Sequence, residues 1–327
     1  METIFISFFK KISTYTLIIF TSVSTLFSQE DITITELKDH ISFLASEENM
    51  GRFPGTKANK QVIKYIKKEF KSSGLQKMKG GFFQDFKAKI RVKKGEESMP
   101  PVKTWNVVGM IQGNDPRLKN EYIVLGAHYD HLGMGGPSSK APDTVAIHHG
   151  ADDNASGTAA LMEIAEKLSH NNTSLKRSII FVAFGAEEQG LLGSKHFAQN
   201  PPIPAEQIKL MINMDMVGRL NNQNHIYMGG AGTFPGGVEL MKNNAPDLGL
   251  TPIVHAGSVG GSDHVSFYRQ QISVIGLHTG GHPQYHRPED TVEKINFEGH
   301  QKVCEYIYSA ILKIAGSDMP LTFIDQG

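Results

Sequence analysis

The stretch YIVLGAHYDHLG, residues 122–133, decides how the rest of the chain is read. Its first six residues are a short, continuously apolar run, the signature of a strand covered on both faces. His128 and Asp130 follow at once. Two positions apart in an extended segment, they share a face, so Asp130 could hold one ring nitrogen of His128 while the other meets a metal ion. A lone His-x-Asp pair is ordinarily just a solvated hydrogen bond. Its position after a buried strand is what gives this one weight.

The pattern repeats outward from there. Residues 178–184, 209–214 and 273–277 are further buried-strand runs, and 82–92 and 105–111 read as strands around a Lys/Gly/Pro turn at 93–101. Helical periodicity marks 35–44, 57–70, 157–168 and 297–314, with shorter helices near 191–199, 238–244 and 263–270. Strands alternating with helices predict an α/β fold: a three-layer α/β/α sandwich with a mixed, mostly parallel central sheet. No repeat, long linker or low-complexity block divides the chain, so residues 29–327 read as a single domain.

Metal-capable side chains gather just past the strand ends, where open α/β sheets place their sites. Beside His128 they are Asp153 in GADDNASG, Glu187 and Glu188 in FGAEEQGLLGS, Asp215 in INMDMVG and His286 in HPQYHRPEDT. Three carboxylates and two imidazoles suit zinc, and a carboxylate that gives one oxygen to each of two cations lets them sit close together. Asp153 is favoured for that role, with Asp152 read as an exposed neighbour or a helix cap. Glu187 and Glu188 are neighbours that point to opposite sides of an extended segment, so one can bind metal while the other handles protons. Asp215 is a lone acid in an apolar run and needs a partner. His148, His149, His278 and His282 read as pocket lining or surface.

Other motifs carry less. Ser262-Asp263-His264 has triad letters but no triad geometry. The glycines at 229–237 lack a dinucleotide fingerprint, and the Asn154 sequon falls inside the proposed site. Cys304, the only cysteine, lies in a helical pattern as a buried thiol and excludes an intrachain disulfide. The Lys64, Lys67, Lys68 and Lys71 cluster reads as a solvated helix face.

Across 327 residues, 33 basic and 33 acidic side chains balance, which gives no argument for a nucleic-acid or membrane-surface partner. At the N-terminus, Lys10 and Lys11 precede an apolar run at 17–27 with Ser28 after it. Residues 1–28 thus read as a signal peptide, with an apolar run shorter than the roughly 20 residues of a membrane span. The expected destination is the periplasm or the exterior, with no stable membrane association after cleavage. Residues 1–9 are themselves apolar, and an uncleaved anchor is the competing reading.

From about Ile32 to the C-terminal helix the chain resembles the zinc aminopeptidases of metallopeptidase family 28, with the five motifs in the family's order. The resemblance implies two Zn2+ per chain, one held by His128, Asp153 and Asp215, the other by Asp153, Glu188 and His286. It implies Glu187 as general base, Asp130 as orienting acid and Tyr285 as an aid to the oxyanion. The activity implied is removal of N-terminal residues from peptides with a free N-terminus by a hydroxide bridging the two cations. One departure is the long Gly/Ser/Pro-rich connection between His128 and Asp153, at residues 134–145, which would shape the pocket or rim it. Rival readings are a single-zinc glutaminyl cyclase, a carboxypeptidase or dipeptidase on the same fold, and a binding module on a decayed peptidase scaffold.

Overall fold

The computed structural model describes residues 31–170 and 174–327; the leader expected at 1–28 lies outside them. Fifteen strands and regular helices follow in chain order. They are α1 (Ile34–Leu44), α2 (Lys57–Ser72), β1 (Phe83–Ala88), β2 (Val102–Ile111), β3 (Tyr122–His128), α3 (Gly157–His170), β4 (Ser178–Phe184) and α4 (Leu192–Gln199). Then come β5 (Ile208–Met214), β6 (His225–Gly229), α5 (Gly237–Lys242), β7 (Thr251–Val254), α6 (His264–Tyr268), β8 (Ser273–His278) and α7 (Phe297–Gly316).

The strands form one eight-stranded sheet in the order β1-β2-β4-β3-β5-β8-β6-β7. Its centre, β4-β3-β5-β8, is parallel throughout. Antiparallel pairing enters at β1/β2, β2/β4 and β6/β8. The apolar run at 122–127 is β3, in the middle of the sheet, and every residue from Ile123 to His128 is buried. Alternation sends neighbours to opposite faces. Ile179, Phe181 and Ala183 of β4 join the core under α1, α2, α3 and α7, whereas Ile180, Val182 and Phe184 pack with Phe197 of α4 and Phe267 of α6. Helical layers therefore cover both faces, and the mixed α/β sandwich read from the sequence is the fold observed.

Two local readings change. The strand expected at 82–92 stops at Ala88, where the chain leaves the sheet and the Arg91 amide donates to Gln189 Oε1 at 2.9 Å. β6 and β7 were not anticipated; both are short, and β7 carries Pro252 at the outermost position of the sheet, where proline's missing N–H costs no pairing. The solvated-face reading of α2 holds: Val62, Ile63, Ile66 and Phe70 are buried, and Lys64, Lys68 and Lys71 are exposed. Among the described residues no helix is long and apolar enough to cross a membrane.

Candidate metal centre

Parallel pairing aligns the carboxyl ends of β3, β4 and β5, and the loops that leave them converge on one spot. His128 is the last residue of β3, Glu187 and Glu188 lie in the turn after β4, and Asp215 directly follows β5. Asp153 comes from a buried turn (Ala151–Ser156) that leads into α3, and His286 from the loop after β8. His286 adopts a positive φ of 57°, and the Asp153–Asn154 peptide is cis.

These side chains meet. His128 Nε2 lies 3.4 Å from Asp153 Oδ1 and 3.5 Å from Asp215 Oδ1. His286 Nε2 lies 3.2 Å from Asp153 Oδ2 and 3.3 Å from Glu188 Oε2. Asp153 thus offers one oxygen to each group. Four donors at 2.0–2.1 Å from a tetrahedral zinc stand roughly 3.3 Å from one another, whereas a charge-assisted hydrogen bond draws its atoms to about 2.7–2.9 Å. The spacing is that of ligands around a shared ion. Asp153 Oδ2 and Asp215 Oδ1 are buried without a hydrogen-bond partner among the described residues, so the donor set fits a pair of divalent cations.

The electrostatics agree. Burial alone would lower His128, but the Glu187 and Asp215 carboxylates and the contact with Asp153 outweigh it and raise it well above the usual imidazole value. For His286, burial is likewise overcome by Asp153 and Glu188, which lift it to about 10. Asp153 is held well below the carboxylate range by His128 and His286 against its own burial. Glu188 stays at about 2 because His131 and His286 outweigh burial and the Asp153 charge. This is a cluster that demands positive charge, and cations would replace the protons on its imidazoles.

Glu187 differs. Its side chain is 13% exposed, it lines the cavity, and its Oε2 is 4.0 Å from His128 Nε2. Burial raises its pKa well above the usual range, with help from the Glu188, Asp263 and Asp215 charges and against the pull of His128. The turn places it on the open side while Glu188 points into the cluster. The pair is therefore divided by a tight turn, with Ala186 at φ 59°, and not by an extended strand as the sequence had suggested.

Asp130 also departs from its expected contact. His128 Nδ1 meets the Asp130 backbone carbonyl at 3.2 Å, while the Asp130 carboxylate accepts the Glu187 amide at 2.9 Å. It thereby reaches the turn that carries both glutamates. Burial, partly offset by His128, raises its pKa to about 6. Tyr285 stacks on His286 with ring centroids 3.8 Å apart and lines the cavity.

Asp152 is neither exposed nor a helix cap. It is fully buried; its Oδ1 accepts the Gly218 amide at 2.7 Å and the Ser156 hydroxyl at 3.0 Å, and Oδ2 lies 3.2 Å from His282 Nε2. Asn154 is also fully buried, donating to Met214 O and accepting from the Gly157 amide, so its sequon is sealed in the site.

The sequence reading passed over three residues. Asp290 accepts the amides of Asp152 and Asp153. Arg52 is buried and donates to the carbonyls of Leu44, Tyr129, His149 and Gly150. His131, one residue past Asp130, stands 2.8 Å from Glu188 Oε1 and 3.9 Å from Asp153 Oδ2. For Arg52 and Asp290 the sequence carries no signal, since both act on backbone groups. For His131 the signal was there: a third metal-capable residue in the same short motif.

A cavity of about 350 Å³ adjoins the cluster, lined by Glu187, Asp215 and Tyr285 and also by Tyr227, His264 and His278. A wider depression of about 750 Å³ near Arg177 and Phe323 sits at the amino-terminal ends of the strands, away from the centre, and none of the candidate ligands lines it.

Comparison with known proteins accords with this geometry. Residues 106–311, well over half of the chain, match the family model described as peptidase family M28. Leucine aminopeptidase 2 of Trichophyton rubrum is 30% identical over 222 residues, covering 59% of this chain and 41% of that protein. Leupeptin-inactivating enzyme 1 of Streptomyces exfoliatus is 28% identical over 255 residues, 76% of this chain and 50% of that protein. The chain thus spans half or less of the length of these relatives. Among solved structures, BSAP, a zinc aminopeptidase from Bacillus subtilis, aligns with TM-score 0.69 at 19% identity over 90% of this chain and 98% of that one. Porphyromonas gingivalis glutaminyl cyclase aligns with TM-score 0.69 at 21% identity over 87% and 100%. At such identities these structures speak for the fold alone. With its family model spanning the motifs that build the centre, the chain belongs to peptidase family M28.

Proposed function

We propose that this protein is a two-zinc aminopeptidase that removes N-terminal residues from peptides, made with a signal at residues 1–28 and exported as one catalytic domain, 29–327. The observation that carries the reading is Asp153, whose two oxygens face two separate donor groups at ligand spacing. His128, Asp153 and Asp215 would hold one cation, and Asp153, Glu188 and His286 the other. Bound cations would supply Lewis-acid polarisation of the scissile carbonyl and acidify water at neutral pH.

The chain's own residues do the rest. Glu187, with its raised pKa and its place on the cavity side, takes a proton from water and delivers it to the departing amine. Asp130 fixes the Glu187 turn through its amide. Tyr285 lines the same cavity, and its hydroxyl would donate to the oxygen that gains charge. The leucine aminopeptidase and leupeptin-inactivating enzyme matches support a peptide substrate.

A panel of aminoacyl anilides, assayed with and without chelator, tests this directly. Chelator-sensitive release of the anilide is expected. Glu187→Gln should keep its metal and lose about 10²–10⁴ in kcat, whereas Glu188→Gln should lose one cation; the reverse pattern would refute the division of roles. Ammonia released from a Gln-initiated peptide whose chain stays intact would instead favour the cyclase reading.

A further inference from the structure

Resting on the two-cation reading, we propose that His131 is a further protein ligand of the cation held by Asp153, Glu188 and His286. Four observations point there. His131 is fully buried, and among the described residues neither ring nitrogen has a hydrogen-bond partner. A buried polar group is rarely left so, and two orphaned nitrogens on one ring call for a ligand. Its Nδ1 forms a group within ligand reach of one another with Asp153 and Glu188. The 2.8 Å approach to Glu188 Oε1 is misaligned for a hydrogen bond, since both atoms remain unpaired.

The ring is also held in place. A Cβ on Gly150 would stand 2.5 Å from His131 Cγ and Cδ2, so the imidazole lies flat against that glycine. Gly150 has φ 58°, and its carbonyl accepts from Arg52. On the other side His131 meets the His286 ring edge to face, with centroids 5.9 Å apart and planes at 70°. Glu188 presents Oε1 to His131 and Oε2 to His286, so one carboxylate lies between two imidazoles.

The consequence is an asymmetric centre. Two imidazoles and two carboxylates would then hold the second cation. The His128, Asp153 and Asp215 group has three protein donors and keeps a position for the reacting partner. The second cation, with four protein donors against three, would bind more tightly.

The test uses the full protein, loaded with NMR-active cadmium and labelled with heavy nitrogen in its histidines. Cadmium–nitrogen coupling is expected on three imidazoles, those of His128, His286 and His131, the last through Nδ1. The wild-type spectrum decides the matter whether or not a variant folds. In His131→Gln the count should fall to two, and competitive zinc titration should show one cation bound about tenfold to a hundredfold more weakly. Coupling at His128 and His286 with none at His131 overturns this proposal and leaves the two-cation reading standing. Failure to take up cadmium or zinc at all overturns both.

Discussion

At the scale of the residue, adjacency in sequence says little about role. Asp152 and Asp153 are chemically identical neighbours, both buried. The first spends Oδ1 on the Gly218 amide and the Ser156 hydroxyl, and the second turns both oxygens to the imidazoles. Asp152→Ala should therefore cost stability, about 2–4 kcal/mol from donors left unpaired, read as a lower urea midpoint. Asp153→Ala should instead leave fewer than two cations per chain by elemental analysis, because both groups lose a ligand. Equal loss of stability and metal in the two variants would contradict the assignment. The candidate acids were legible as types and positions. Asp153 over Asp152 was a preference and Glu188 over Glu187 rested on the family resemblance, because the direction each side chain takes depends on the turn geometry at Ala186 and in the Ala151–Ser156 segment.

Among the elements, the Gly/Ser/Pro-rich connection at 134–145 acquires a concrete task. The Ser138 carbonyl accepts from His286 Nδ1 at 2.8 Å, and the Lys140 amide donates to the His286 carbonyl at 3.0 Å. Lys140 Nζ also lies over the Tyr285 ring, 4.1 Å from its centroid. The loop holds the last candidate ligand, His286, by its backbone, fixing the tautomer that leaves Nε2 free. Ser138→Ala should therefore leave zinc affinity unchanged, since no side-chain atom is used. Removing residues 136–140 should weaken one cation by about 10–100-fold, measured by chelator competition. The strands themselves were readable because those buried on both faces need uninterrupted apolar sequence. β6 and β7 were not, being short and at the edge. Phe181 and Phe184 anchor opposite faces of β4, and truncating either to Ala should cost roughly 3–5 kcal/mol.

For the whole molecule, stability and the centre are linked. Arg52, beyond the end of α1, clamps four carbonyls from the α1 end, the β3 exit and the segment before Asp153. Burial lowers its pKa to about 10 while Asp130, Asp153 and Asp290 act to raise it, so it stays charged and offsets the acids. Arg52→Met should lose about 3 kcal/mol or more by denaturant unfolding, with several carbonyls stranded at once. Metal removal should act in the same direction. A ligand at a thousandfold excess over its dissociation constant stabilises the folded state by about 4 kcal/mol. Chelation should thus depress the melting temperature and added zinc restore it; an unmoved melting curve would count against a resident metal.

The sequence by itself determined the layered α/β architecture, through apolar runs that only a covered sheet can bury, and placed the chemistry at the strand ends. It also named the donor types, because acids and imidazoles follow the strand ends while the chain's one cysteine lies in a helical pattern. That Asp152 is buried on the Gly218 amide, that the Asp130 carboxylate reaches Glu187 and not the His128 ring, and that His131 stands 2.8 Å from Glu188 were decided by tertiary structure. The reason is physical: those outcomes depend on the direction of side chains carried by turns from distant parts of the chain, and no local periodicity encodes that direction.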